Sequence, residues 1–219
     1  MRVTGRSAHA VFPPALRGWL GSVAALAALV VVVLGARFAG HHQAGTVDGW
    51  IRSAVVGVRP PGWQSAALDL DALGEPTGAM TLVVTVMVGC LLLRRPRAAV
   101  LIVAGAGLAV VTSSLLKHVV GRTIHGENLS YPSGHTAFAT AVALAVALLA
   151  AERLGRPAGT LLVLAAALLA GAAMGWAEIA LDAHYPTDVL GGWCVALAVV
   201  PATAWLVDRT ADVGRRYHR

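Results

Sequence analysis

Residues 98–119 read AAVLIVAGAGLAVVTSSLLKHV, and no charged side chain interrupts them before Lys117. A hydrocarbon core of about 30 Å is crossed by about 20 residues of α-helix, so this run is long enough to span a bilayer. Five further apolar runs lie outward from it, at roughly 19–39, 78–93, 136–151, 158–181 and 188–207. The pattern predicts an all-α fold, a six-transmembrane-helix bundle, with residues 1–219 forming a single membrane domain. The second and fourth runs are short for a span and are expected to begin a few residues earlier than the pattern shows.

Composition agrees with this reading. Hydrophobic residues make up 57% of the chain, charged residues 13%, and the mean hydropathy is +0.71. A soluble domain carries about a quarter charged residues. The formal net charge of +6 and pI near 10.3 would raise the question of nucleic acid in a soluble protein. Here the arginines fall between apolar runs, so the basic balance reads as topology and no nucleic-acid partner is expected. With the N-terminus inside, the inner segments carry Arg2, Arg6, Arg17, Arg94, Arg95, Arg97, Arg153, Arg156, Arg209, Arg215, Arg216 and Arg219. The outer segments carry Arg37, Arg52, Arg59, Lys117 and Arg122. This bias predicts a multi-pass cell-membrane protein with both termini cytoplasmic. Most histidines then collect outside, facing the periplasm or exterior: His41, His42, His118, His125, His135 and His184.

The first run is read as an uncleaved helix, because no small-residue cleavage pattern follows it. The outer segment 40–77 is the longest connection, with a short amphipathic helix expected at 46–58 and interfacial positions for Trp50 and Trp63. Cys90 and Cys194 lie inside apolar runs and read as packing residues. His41-His42 reads as a solvated polar pair before a metal pair. The Gly105-Ala106-Gly107 and Gly171-Ala172-Ala173 clusters suit close helix packing.

Three outer positions carry the groups that could do chemistry. The third helix ends at Lys117, the single lysine of the chain, followed by Arg122. The next loop holds Tyr131-Pro132-Ser133-Gly134-His135 and opens into the fourth helix. The fifth helix ends near His184, and Tyr185-Pro186-Thr187-Asp188 opens the sixth. Both Tyr-Pro segments read as helix starts, since proline suits a first turn. Free N–H groups at such a start favour an anion, which would place Ser133 and Gly134 against a phosphate. A plain turn capping the helix is the competing reading. His184 and Asp188 are four apart and share a helical face. A carboxylate on one imidazole nitrogen fixes the tautomer and leaves the other free as base or nucleophile.

These residues resemble the phosphatidic acid phosphatase type 2 superfamily, whose fold is shared with vanadium haloperoxidases. The family's motifs are K-x6-R-P, P-S-G-H and S-R-x5-H-x3-D. The second is matched by Pro132-Ser133-Gly134-His135, the end of the third by His184 and Asp188, and the first by Lys117 alone. The resemblance covers about 100–207, a phosphatase-like core. It implies that His184 attacks phosphorus to form a phosphohistidine, Asp188 orients it, and His135 protonates the leaving oxygen and later activates water. Lys117, Ser133 and Gly134 are implied to hold phosphate oxygens. Neither a metal nor another cofactor is implied.

The two motif arginines are replaced, by Ile124 and by Glu178. Arg122 is expected to move into the vacated clamp as a substrate-binding residue, or to form a structural ion pair with Glu178. A further reading lets Glu178, Asp182, His125 and Glu127 adjust the site for another substrate or a divalent cation. The leading expectation is an outer-leaflet phosphatase for a lipid phosphate or diphosphate, polyprenyl or glycerolipid. Its rival is a catalytically weak relative that binds a lipid head group or supports other membrane proteins. Nothing in the sequence fixes an oligomeric state.

Overall fold

The structure is a computed structural model that describes residues 10–217. Among them the chain forms α1 (Arg17–Phe38), α2 (Thr46–Gly57), α3 (Trp63–Gly74), α4 (Pro76–Leu92), α5 (Pro96–Val120), α6 (Gly134–Ala151), α7 (Arg156–Ala180) and α8 (Pro186–Tyr217). A two-residue hairpin, β1 (Thr123–Ile124) with β2 (Asn128–Leu129), is the described strand structure. Arg2, Arg6 and Arg219 of the inner charge pattern lie outside the described residues.

Local chemistry sets the helix boundaries. Proline stands in the first turn of α4, α5 and α7 and opens α8, where its missing N–H costs nothing. Gly121, at φ 63°, ends α5 in the left-handed conformation that relieves the last carbonyls. The fourth run begins at Gly134 and the second at Pro76, each two residues before the apolar pattern. The amphipathic helix expected at 46–58 is α2. The polar stretch that follows is also helical, as α3, which the sequence reading did not foresee.

Five helices, including α1, are long and apolar enough to cross a membrane. The pair α3 and α4 passes the same test only together, with a bend of 65° between them, and brings the number of spans up to six. At about 1.5 Å per residue α4 alone is about 25 Å long, shorter than a bilayer core. α8 packs against α1, α5, α6 and α7, and α6 against α5, α7 and α8, so these two helices form the centre. Leu26, Val32, Leu92, Leu161 and Leu169 are exposed on the outside of the bundle, as lipid-facing residues are.

The end of the bundle away from the sequence-predicted site is tied by charge. Asp208 accepts hydrogen bonds from the Val11 and Phe12 N–H groups, at 3.0 Å each, and pairs with Arg97 at 3.4 Å. Arg95 pairs with Glu152 at 3.2 Å. At the other end α5, α7 and the starts of α6 and α8 converge, and α2 and α3 pack against α7.

Candidate active site

The chain enters the site from α5. Lys117, on its last turn, is half-buried and close enough to Glu178, Asp188 and His184 to feel their charges. Beyond Gly121 the guanidinium of Arg122 is fully buried. Its Nη1 donates to Asp188 Oδ1 and Thr187 Oγ1, each at 2.6 Å, and its Nη2 to Asp48 Oδ2 at 2.6 Å. The rings of Phe38 and Tyr185 cover it, with centroids 4.0 and 4.4 Å away. Asp48, from α2, also accepts from Thr187 N at 2.9 Å, so it caps the start of α8 as well as neutralising the arginine. A buried guanidinium needs such partners to offset its lost hydration.

The hairpin leads to Tyr131, whose hydroxyl donates to the Val31 carbonyl of α1 at 2.8 Å. Ser133 is the N-cap of α6. Its Oγ accepts from Thr136 N at 3.3 Å and donates to Thr136 Oγ1 at 3.0 Å. The turn is seated on α8 by glycine. A Cβ on Gly191 would lie 2.5 Å from the Tyr131 ring, and one on Gly192 2.2 Å from the Ser133 carbonyl oxygen. Gly134 has open space in front of it, so its lack of a side chain leaves room for a ligand rather than for protein.

His135 and His184 meet on Glu178. This carboxylate is 1% exposed; its Oε1 lies 3.8 Å from His135 Nδ1 and its Oε2 3.6 Å from His184 Nε2. On the other side of His184, Nδ1 is 3.8 Å from Asp188 Oδ2, longer than a hydrogen bond. Asp188 is itself fixed by Tyr185 N at 3.0 Å and by Arg122. Burial holds the His184 imidazole below the usual histidine value; Asp188 opposes this and the charge of Lys117 adds to it.

Two carboxylates on the far side of His135 complete the cluster. Asp71 Oδ1 and Glu75 Oε1 lie 3.6 and 3.7 Å from its Nε2. They come from the end of α3, which also shapes the space. A Cβ on Gly74 would lie 2.0 Å from His135 Cδ2.

The structure therefore brings together Lys117, His135, His184 and Asp188, with Ser133 and Gly134 in the adjoining helix start. It departs from the sequence reading at Arg122. Both terminal nitrogens are taken by Asp48, Thr187 and Asp188, so the guanidinium is engaged within the protein and not free to face a ligand. The expected pair of Arg122 with Glu178 is likewise absent among the described residues, because Asp48 and Asp188 take the arginine and Glu178 faces the histidines. His125 and Asp182 lie apart from Glu178. Arg52 clasps Asp182 with two hydrogen bonds, at 2.6 and 2.7 Å, while His125 Nε2 donates to its carbonyl at 2.9 Å. The Arg52 bond holds Asp182 below the usual carboxylate range. His41 and His42 point to different partners, the Ala39 carbonyl and Thr123 Oγ1, rather than to each other.

Asp48, Asp71 and Glu75 escaped the sequence reading. One signal was available: Asp71 and Glu75 are four apart, a spacing that places both on one helical face. The burial of Asp48 had no local signal.

A family model described as the PAP2 superfamily matches residues 98–212. Among solved structures the chain is similar to the crystal structure of a transmembrane PAP2 type phosphatidylglycerolphosphate phosphatase from Bacillus subtilis. The likeness covers 86% of this chain and 96% of that one, with a TM-score of 0.68 and 22% sequence identity. No curated protein matches the chain.

Proposed function

The chain belongs to the PAP2 superfamily, and we propose that it is a membrane phosphatase that hydrolyses a lipid phosphate or diphosphate, polyprenyl or glycerolipid, at the outer leaflet. His184 Nε2 attacks phosphorus as the bond to the leaving oxygen breaks, and His135 gives that oxygen its proton. Water then attacks the phosphohistidine, gives a proton to His135 and releases inorganic phosphate. Asp188 orients His184, and Arg122 with Asp48 behind it keeps Asp188 in position. Lys117 and the first turn of α6, at Ser133 and Gly134, hold the phosphate oxygens.

One observation carries this reading: His135 on α6 and His184 in the loop between α7 and α8 face the two oxygens of one buried carboxyl group, beside the chain's single lysine. Phosphoryl transfer asks for a nucleophile, an acid and fixed positive charge, and an outer-face site beside lipid suits a substrate with an apolar tail. The outer placement is supported by the arginine bias and by the convergence of all these groups at one end of the bundle.

The test is phosphate release by purified protein from a panel of lipid phosphates and diphosphates. His184→Ala is expected to reduce release to background, and His135→Ala to slow it by about 10²–10⁴-fold. Phosphate trapped on His184 would identify the intermediate. Release that survives in His184→Ala refutes the mechanism. The second reading, a head-group-binding relative of low activity, is favoured by Glu178, which puts a buried carboxyl group, in place of a motif arginine, 3.6 Å from the nucleophilic nitrogen. Lipid binding without release in the same panel would decide for it.

A further inference from the structure

Glu178 occupies the place of a motif arginine, and its surroundings show what that exchange does to the site. The carboxyl is 1% exposed, with Oε1 3.8 Å from His135 Nδ1 and Oε2 3.6 Å from His184 Nε2. A phosphoryl group seated between the two histidines has to touch it. The same carboxyl is joined by a side-chain hydrogen bond to Asp71, near the end of α3. Two carboxylates repel each other, and a hydrogen bond between them exists only with a proton shared by the pair. The pair then carries one negative charge, and Glu178 can meet a ligand as a neutral group.

The other charges around the phosphoryl position are already matched. From α5, Lys117 faces Glu178 and Asp188. From α6, His135, protonated as the acid of the reaction, faces Asp71 and Glu75 of α3 and its end at 3.6 and 3.7 Å. Arg122 is held between Asp48 and Asp188, one positive charge between two negative ones. Arg52 and His125 are turned to Asp182. Lys117 and His135 therefore face as much negative charge, from Glu75 and from the pair of Glu178 with Asp71, as they bring. A singly charged phosphoryl group adds one unmatched charge to a largely buried pocket, and a doubly charged one adds a second. An arginine at 178 would have supplied the missing counter-charge.

We propose that Glu178 is a specificity-determining residue: as a neutral carboxyl beside Asp71, in place of a clamp arginine, it makes the site accept a lipid phosphoryl group with one negative charge and disfavour the dianion. Two kinds of lipid carry such a group. One is a phosphate monoester in its monoanionic form, below a second ionisation at about pH 6. The other is a phosphodiester, which has no second ionisation. In either, His184 Nε2 bonds to phosphorus as the bond to the lipid oxygen breaks, and that oxygen takes the proton of His135. Water then attacks phosphorus, returns a proton to His135 and releases inorganic phosphate in the first case and an alkyl phosphate in the second. The inference rests on the phosphatase reading for turnover, not for the selection of charge in binding.

The test uses the full chain purified in detergent and two lipids of equal chain length, dioctanoylglycerol phosphate and its methyl diester. Their binding to His184→Ala is followed by titration calorimetry through and above the second ionisation of the monoester. The ratio of monoester Kd to diester Kd is expected to rise about tenfold per pH unit above about pH 6. Both lipids meet the same Lys117, His135, Asp71, Glu75 and Asp188, so the ratio isolates the charge of the ligand. Adding Glu178→Arg should flatten the rise, while Glu178→Gln, neutral like the proposed carboxyl, should keep it. Diester binding reports that each variant is folded. A level or falling ratio overturns the proposal, as does a rise unchanged by Glu178→Arg. If Glu178→Arg fails to fold, Glu178→Gln decides: a rise that is kept upholds the neutral carboxyl, and a rise that is lost overturns it. Turnover by the wild type in mild acid separates the two sources, as inorganic phosphate from the monoester or methyl phosphate from the diester. The expected rise with neither product formed upholds the selection of charge and removes the phosphatase reading. Product formed with a level ratio does the reverse.

Discussion

Arg122 is a buried side chain proposed to act through Asp188 rather than on the substrate. It is fully buried and holds Asp188 with one terminal nitrogen and Asp48 with the other. Breaking a buried ion pair from one side costs about 3–5 kcal/mol. Arg122→Ala is therefore expected to lower the thermal unfolding temperature of the purified protein by several degrees and to lose turnover in step, with Asp48→Asn close behind. Arg122→Lys keeps the charge but loses the planar fork and should stay well below wild type. An Arg122→Ala protein as stable as wild type, with turnover alone lost, would return the arginine to the substrate side. At His184 the prediction concerns pH. Its folded value lies below the ordinary 6.5, so the unfolded chain takes up the proton first. The stability held by the neutral imidazole is present above 6.5 and is lost as pH falls through the folded value. The nucleophile stays neutral in mild acid, and the acid limb of kcat/KM is expected below pH 6.5; a limb above that value contradicts the burial of His184. His135, His184 and Asp188 could be read from the sequence because each lies in a short motif beside a helix end, and Lys117 because it is the chain's single lysine. The partner of Arg122 could not, since Asp48 is 74 residues away and its burial depends on tertiary packing.

At the level of elements, the decisive piece is α3. Its sequence, Trp63 to Gly74, has no sustained apolar face, and among its residues Ala67 alone is classed as buried. Periodicity gives little warning of such a helix, because its role is to carry groups to a site rather than to fill a core. The close approach of its last residue to His135 leads to a prediction. Gly74→Ala favours the helix locally but places a methyl group 2.0 Å from the imidazole, so the ring must shift. A displacement of about 1 Å costs about 10²-fold in turnover. Steady-state kinetics should therefore show a fall of that order while the unfolding temperature changes little; unchanged turnover would separate α3 from the chemistry. The long helices were more legible. Both expected helix starts are found, as the beginnings of α6 and α8, and the expected glycine packing is realised at Gly171, where a Cβ would lie 2.3 Å from the Trp193 ring. Gly107 meets nothing within 4 Å, so the same composition does not mark a contact everywhere.

Across the whole molecule, charge is divided between the two ends of an apolar bundle, with Arg95, Arg97 and Asp208 at one and the histidine cluster at the other. The orientation that the arginine bias implies can be measured with a membrane-impermeant maleimide, since Cys90 and Cys194 are buried and give little background. Ser65→Cys is expected to label in intact cells and Leu154→Cys only after permeabilisation; the opposite pattern places the site inside. The apolar runs made the span architecture legible, but the bend between α3 and α4 was hidden, because a run of 17 residues looks the same whether it is a short span or half of a broken one. The hold of α2 on Arg122 bears on how such proteins can be recombined. The family match begins at residue 98, yet Asp48, Asp71, Glu75 and the Val31 carbonyl that holds Tyr131 all precede it. A chimera cut at the edge of the match would strand a guanidinium in dry protein with half its counter-charge. The exchangeable unit is set by where the charges close, and for this chain it reaches back through α2 and into α1.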